Sequence, residues 1–265
     1  MKELLTRALS GLLYVALIIC CTIYNPWSLY GLYFALMLIA LFEFKKLIQL
    51  KDNWIYISAI VVFASFISAK DFSLNQFIFT GVLTLFFPFI IQLFKKTGET
   101  AQVGKFYLAF FYIAVSFILM VKIPFLINYN SFNPMLLLGV FILVWVNDTF
   151  AYLVGKSIGK HKLLERISPK KTIEGFLGGL IFALIASFFI YKYSELLTIK
   201  NWLVIALIVV VFGTIGDLIE SKFKREAGVK DSGTIMPGHG GILDRLDSVI
   251  FAAPFVFYYL TIIQN

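Results

Sequence analysis

Residues 217–247 read DLIESKFKREAGVKDSGTIMPGHGGILDRLD. Six of the chain's fifteen acidic residues lie in this stretch, Asp217, Glu220, Glu226, Asp231, Asp244 and Asp247, with five basic ones and the turn Pro237-Gly238-His239-Gly240-Gly241. The runs on either side, 201–216 and 248–263, carry no charge. An uncharged run of nearly 20 residues is about what a helix needs to cross a bilayer. The polar stretch therefore reads as a loop between two membrane spans, and flexible backbone, carboxylates and cations concentrated in such a loop mark where the chemistry sits.

Composition extends this reading to the whole chain. Of 265 residues 60% are hydrophobic and 14% charged, with a mean hydropathy of +0.89, too apolar for a soluble domain. Charge-poor intervals near 8–24, 28–43, 53–69, 74–94, 104–122, 134–155, 173–192, 201–220 and 247–263 predict an all-α, polytopic membrane protein of about nine spans. Lys122 and Pro124 make the fifth the least regular of these. Lysine and arginine gather in cytoplasmic loops. A cytoplasmic N-terminus leaves only Lys70, Lys122, Lys192 and Lys200 of the 23 basic residues on the far side. The net charge of +8 thus reports membrane orientation rather than nucleic-acid binding. Trp27, Trp54 and Trp202 fall near span ends, as interfacial aromatics do. Cys20 and Cys21 are adjacent in an apolar run and read as packing residues. No signal-peptide cleavage site, internal repeat or linker interrupts residues 1–265, which read as one transmembrane domain. Its catalytic region is built mainly from 144–179 and 213–248.

Four groups of residues carry candidate chemistry. Asp148 follows a long uncharged run, where a carboxylate is costly unless paired, protonated, metal-bound or near water. It shares a helical face with Tyr152 and Gly155. Ser168-Pro169-Lys170-Lys171 reads as a helix start, with Ser at the N-cap and Pro at the first helical position, presenting free N–H groups and two lysines to an anion. Gly175 and Gly179 form a small-xxx-small pair suited to helix packing. Gly155 to His161 resembles a P-loop but has one residue too few between its glycines and no Ser or Thr after Gly-Lys. Asp217, Glu220, Ser221 and Lys224 fall on one helical face, although Glu220 and Lys224 could equally be an ordinary ion pair. Finally, Asp244 and Asp247 open the last span three residues apart and could hold a hard cation such as Mg²⁺ through oxygen. Two histidines and no thiolate cluster argue against zinc.

The fixed positions Ser221, Lys224-Arg225, Lys230-Asp231, Pro237-Gly238-His239-Gly240-Gly241, Asp244-Arg245 and Asp247 closely resemble the signature of CDP-diacylglycerol synthases, also called phosphatidate cytidylyltransferases. Blocks at 148–156, 168–179 and 216–221 are similar to that family as well. The resemblance implies a membrane enzyme that joins CTP to phosphatidate, releasing pyrophosphate. It also implies a requirement for Mg²⁺, alone or with a second cation, and a homodimer as the working unit. On that reading Asp217 and Asp244 lead the metal ligands, with Asp148, Asp231 and Asp247 as further candidates. Lys170, Lys171, Lys224, Arg225, Lys230 and Arg245 clamp phosphates, Ser221 donates or coordinates, and His239 with Gly238, Gly240 and Gly241 shapes the loop. Asp244→Asn is then expected to abolish turnover while leaving the fold intact. A bacterial inner membrane with the site facing the cytoplasm suits both substrates. Two other classes compete: an ion-coupled transporter built on Asp148 and Asp217, and a CTP-dependent lipid-alcohol kinase.

Overall fold

The computed structural model describes residues 2–68, 83–94, 102–127 and 131–264. Helix α1 (Lys2–Tyr24) passes through a tight corner to α2 (Pro26–Leu47). There Asn25 caps the second helix by accepting from Ser28 N, and Ser28 Oγ returns the bond to Asn25 N. Then come α3 (Trp54–Ser68) and α4 (Phe87–Phe94). Next, α5 (Gln102–Ala109) runs through a π-helical segment, Phe110–Val115, into α6 (Ser116–Lys122) and a 3₁₀ turn at Ile123–Phe125. The C-terminal half holds α7 (Pro134–Ile158), a hairpin of β1 (Lys162–Leu164) and β2 (Ser168–Thr172), α8 (Ile173–Ser194), α9 (Ile199–Glu226) and α10 (Leu243–Gln264).

The all-α membrane architecture is as expected. Among the described residues seven helices are long and apolar enough to cross a membrane: Leu5–Tyr24, Pro26–Leu47, Gly104–Phe125, Pro134–Ile158, Ile173–Ser194, Ile199–Glu226 and Leu243–Gln264. The third expected span corresponds to the shorter apolar helix Trp54–Ile67. The fourth, 74–94, is described from 83 onward, with α4 forming its end, and 74–82 lie outside the described residues. At Lys122 the fifth neither breaks nor continues as α-helix, but tightens into the 3₁₀ turn around Pro124.

Helix α10 is the hub. Every residue from Leu246 to Phe257 is buried, which is what a helix apolar all round requires. Its Phe251 and Phe255 join Phe86, Phe89, Tyr112 and Phe212 in one aromatic core. Glycines set the close helix approaches. A Cβ on Gly216 would lie 2.6 Å from Asp247 O, and one on Gly175 the same distance from Ala151 O, so α9 meets α10 and α8 meets α7 backbone to backbone. Trp27 and Trp54 are exposed, but Trp202 is fully buried over Gly139. Its expected interfacial place is thus corrected: Gly139 leaves a hole on α7 that the indole fills.

The chain alternation brings the start of α1, the ends of α2, α4, α7 and α9, and the starts of α8 and α10 to one end of the bundle. Arg166, in the hairpin turn, donates to Leu93 O at the end of α4 (2.6 Å). All the polar clusters described below lie at this end.

Candidate active site

The hairpin corrects one expectation. Ser168 and Pro169 belong to β2, and the N-cap of α8 is Thr172, whose Oγ1 accepts from Gly175 N at 3.1 Å. Pro169 supplies no N–H and tolerates an edge strand as readily as a first helical turn. The anion-binding helix start at Ser168 is therefore absent. What β2 does instead is aim Lys171: its Nζ lies 2.6 Å from Asp217 Oδ2, while the preceding Lys170 is exposed. Neighbouring residues of a strand point to opposite faces, so only one of the two lysines reaches the site.

Asp217 sits nine residues before the end of α9, half-buried, and also accepts from Ser221 Oγ at 3.1 Å. Asp148 and Asp247 share its electrostatic neighbourhood, together with Lys171. Asp148 is exposed and accepts from Asn147 Nδ2 at 3.1 Å. Asp247 is buried, with Oδ1 accepting from Ser248 N at 2.7 Å. Tyr112, carried by the π-helical segment, buries its ring beside Asp247, Glu220 and Asp217. π-Segments often mark functional positions because they re-aim a side chain.

A second cluster adjoins the first one turn further along α9. Lys224 Nζ pairs with Glu220 and lies 2.7 Å from Asp244 Oδ1. Asp244 Oδ2 accepts from Ser232 N (2.8 Å), Ser232 Oγ (2.9 Å) and Gly241 N (2.8 Å). Asp244, in the first turn of α10, and Asp247, three residues further on, face different groups, one the loop and the other the neighbourhood of Asp217 and Asp148. Among the described residues no three histidine, cysteine or carboxylate side chains converge as a ready-made metal cluster.

The Gly-rich turn forms a third part. Met236 N donates to Gly240 O and His239 N to Met236 O, both at 2.9 Å, with Gly238 and Gly240 at φ of 75° and 86°, a region that favours glycine. Asp231 packs beside Gly240. Arg225, Lys230, Asp231 and Arg245 are exposed.

Several contributors come from the N-terminal half, outside the blocks that carry the family resemblance. On α1, Ser10 Oγ donates to Pro237 O (3.0 Å) and lies 2.7 Å from His239 Nδ1. Arg7 packs against Gly238, and Tyr14 reaches Arg245 O at 3.4 Å. Arg7, Ser10 and Tyr14 are spaced as one helical stripe, a signal that was available. On α2, the buried Glu43 accepts from Ile242 N and Leu243 N. Its signal was equally plain, an acid inside a span. His239 is held below the ordinary histidine pKa, first by desolvation and then by the nearby guanidiniums of Arg245 and Arg7.

A multi-pass helical membrane protein with paired carboxylates and lysines gathered at one end of its bundle is the class that this fold and site define. Residues 5–263 match the Cytidylyltransferase family. The chain is 35% identical to the phosphatidate cytidylyltransferase of Bacillus subtilis (strain 168), over 98% of this chain and 97% of the relative. Over a 44% segment it is 53% identical to the phosphatidate cytidylyltransferase of Staphylococcus haemolyticus (strain JCSC1435) and 52% to that of Staphylococcus aureus (strain COL), covering 46% of each. The chain belongs to the cytidylyltransferase family.

Proposed function

We propose that the protein is a phosphatidate cytidylyltransferase, transferring the cytidylyl group of CTP to phosphatidate with release of pyrophosphate. The observation that carries this reading is the pair of ion-paired lysines, Lys171 on Asp217 and Lys224 on Asp244, with Asp148 in the electrostatic reach of the first pair. The phosphate of phosphatidate is already largely ionised at neutral pH, so a dedicated general base is unnecessary. Bringing that anion to the α-phosphate of CTP is instead a problem of charge, solved by cations held in place beforehand. Lys171 and Lys224 are so held, each oriented by a carboxylate, while the exposed Arg225, Lys230 and Arg245 can draw the triphosphate in from solvent.

The donor set suits Mg²⁺, which takes one or two carboxylates and completes its shell with phosphate oxygens and water. Asp217 and Asp148, the accessible members of the acid cluster, would hold it, with Asp247 behind them. Asp244 already accepts four hydrogen bonds from the protein, which fits an organiser of the loop better than a leading ligand. When bound, the ion would neutralise charge on the reacting phosphates. We further infer a bacterial inner-membrane location, the site facing the cytoplasm where CTP is made, with the acyl chains left in the bilayer and a homodimer as the working unit.

The test is incubation of purified protein with phosphatidate, Mg²⁺ and CTP labelled separately at the α- and γ-phosphates. α-Label in the lipid with γ-label released as pyrophosphate is the expected result. γ-Label in the lipid would mean a lipid kinase instead, and ion flux across liposomes without CTP would point to transport.

A further inference from the structure

Three consecutive backbone N–H groups introduce α10, those of Gly241, Ile242 and Leu243. Asp244 accepts the first at 2.8 Å. The other two go to Glu43, a residue almost two hundred positions away on α2: Ile242 N to Oε1 at 3.1 Å and Leu243 N to Oε2 at 2.8 Å. Ser232 Oγ lies between the two carboxylates, 2.9 Å from Asp244 and 3.3 Å from Glu43. Glu43 is 2% exposed. The glycines of the loop are fitted to it. All three atoms nearest to a Cβ added at Gly233 belong to Glu43, and a Cβ at Gly241 would collide with the same carboxylate. The φ of Gly233 is not in the left-handed region, so its backbone conformation does not demand glycine; the carboxylate of Glu43 does.

We propose that Glu43 is a positioning residue for the reaction: it pins the loop 229–242 and the first turn of α10, so that Asp244 and Lys224 present a fixed geometry to substrate phosphate. The inference rests on the cytidylyl-transfer reading for its kinetic consequence, but not for its structural one. A carboxylate at a helix N-terminus satisfies donors that would otherwise be orphaned in a buried place. Any slack there passes directly to Asp244, one residue further on, and to Lys224 through their ion pair.

Two variants test it in the full-length protein. Glu43→Gln keeps the size but sets an amide NH₂ against backbone N–H donors. Gly233→Ala leaves Glu43 in place and displaces its carboxylate. For both, hydrogen exchange of the segment 229–243 is expected to speed up by about tenfold or more, the loss of a charge-assisted buried hydrogen bond. The kcat is expected to fall by about tenfold to a hundredfold, with KM for CTP and for phosphatidate little changed. Melting in detergent is expected to fall modestly, by the cost of about one buried donor left unpaired, with both variants still folded. Unchanged exchange, or a kcat within about twofold of the parent, would overturn the proposal. So would global unfolding of both variants, which would make Glu43 a general stability residue. If the parent makes no CDP-lipid at all, the cytidylyl-transfer reading fails while the exchange experiment still decides whether Glu43 pins the loop.

Discussion

Asp217 and Asp244 each face a lysine, yet they differ in what else depends on them. Asp217 is half-buried and, among the described residues, is held by Lys171 and Ser221. Asp217→Asn is therefore expected to cut turnover by about a hundredfold or more while the melting temperature hardly moves. Asp244 is enclosed, and Asp244→Asn would turn an acceptor into a donor against Ser232 N or Gly241 N, at about 1–3 kcal/mol for each buried donor left unpaired. Loss of activity with a lower melting temperature is expected there, unlike the clean separation that the sequence suggests. Calorimetry alongside kinetics on both variants checks the contrast. His239 gives a pH prediction. Its pKa lies below the ordinary value, so the stability it contributes is complete above the unfolded-state value of about 6.5 and is lost as pH falls through the folded one. Arg7→Gln removes one repelling cation and should move the pKa upward, read from the His239 ring resonances by NMR. The spacing of Asp217, Ser221 and Lys224 was legible because a helix repeats every few residues. Glu43 and Ser10 were not placed by it, since their partners lie in a loop whose path no periodicity reveals.

At the scale of elements, the long helices could be read from length and charge alone, because the bilayer imposes both. The hairpin could not. Ser168-Pro169 and Thr172-Ile173 both look like helix starts, and the choice between them is made by tertiary contacts: Thr172 packs against Gly155 and Gly159, and Ile173 N bonds His161 O at 2.8 Å. Glu174 accepts from Lys160 N (3.0 Å) and pairs with His161 (2.6 Å), closing the same junction. Thr172→Ala should cost about 1 kcal/mol, the usual worth of an N-cap, visible as a lower melting temperature. Because Thr172 is adjacent to Lys171, turnover should fall as well, whereas Ser168→Ala, removing no cap, should leave stability near that of the parent. The π-segment was likewise beyond sequence reasoning, since nothing in FFYIAV distinguishes an added residue per turn from an ordinary helix.

For the whole molecule, the convergence of helix ends makes orientation a testable quantity. Single cysteines at exposed positions 165 and 230, introduced after Cys20 and Cys21 are replaced, should both react with an impermeant thiol reagent in inverted vesicles and not in right-side-out cells. Labelling of one position from each side would break the alternation, and with it the cytoplasmic N-terminus. The buried Trp202 tests the packing of the bundle itself. A methyl group on Gly139 would meet its ring, so Gly139→Ala should destabilise by about 1–3 kcal/mol, as overpacking does, without touching the polar end.

The bond between Ser10 and His239 joins residues 229 positions apart. A ribosome threading this chain into a membrane delivers the first of these well before the second. Until α10 is inserted, α1 and Glu43 have no loop to grasp, and the lysines of α9 and β2 have not met the full set of acids. The site is therefore complete only when α1 and α2 stand beside the loop and the start of α10. A protein stopped before that span is expected to leave CTP untouched, its lysines and acids present but not assembled.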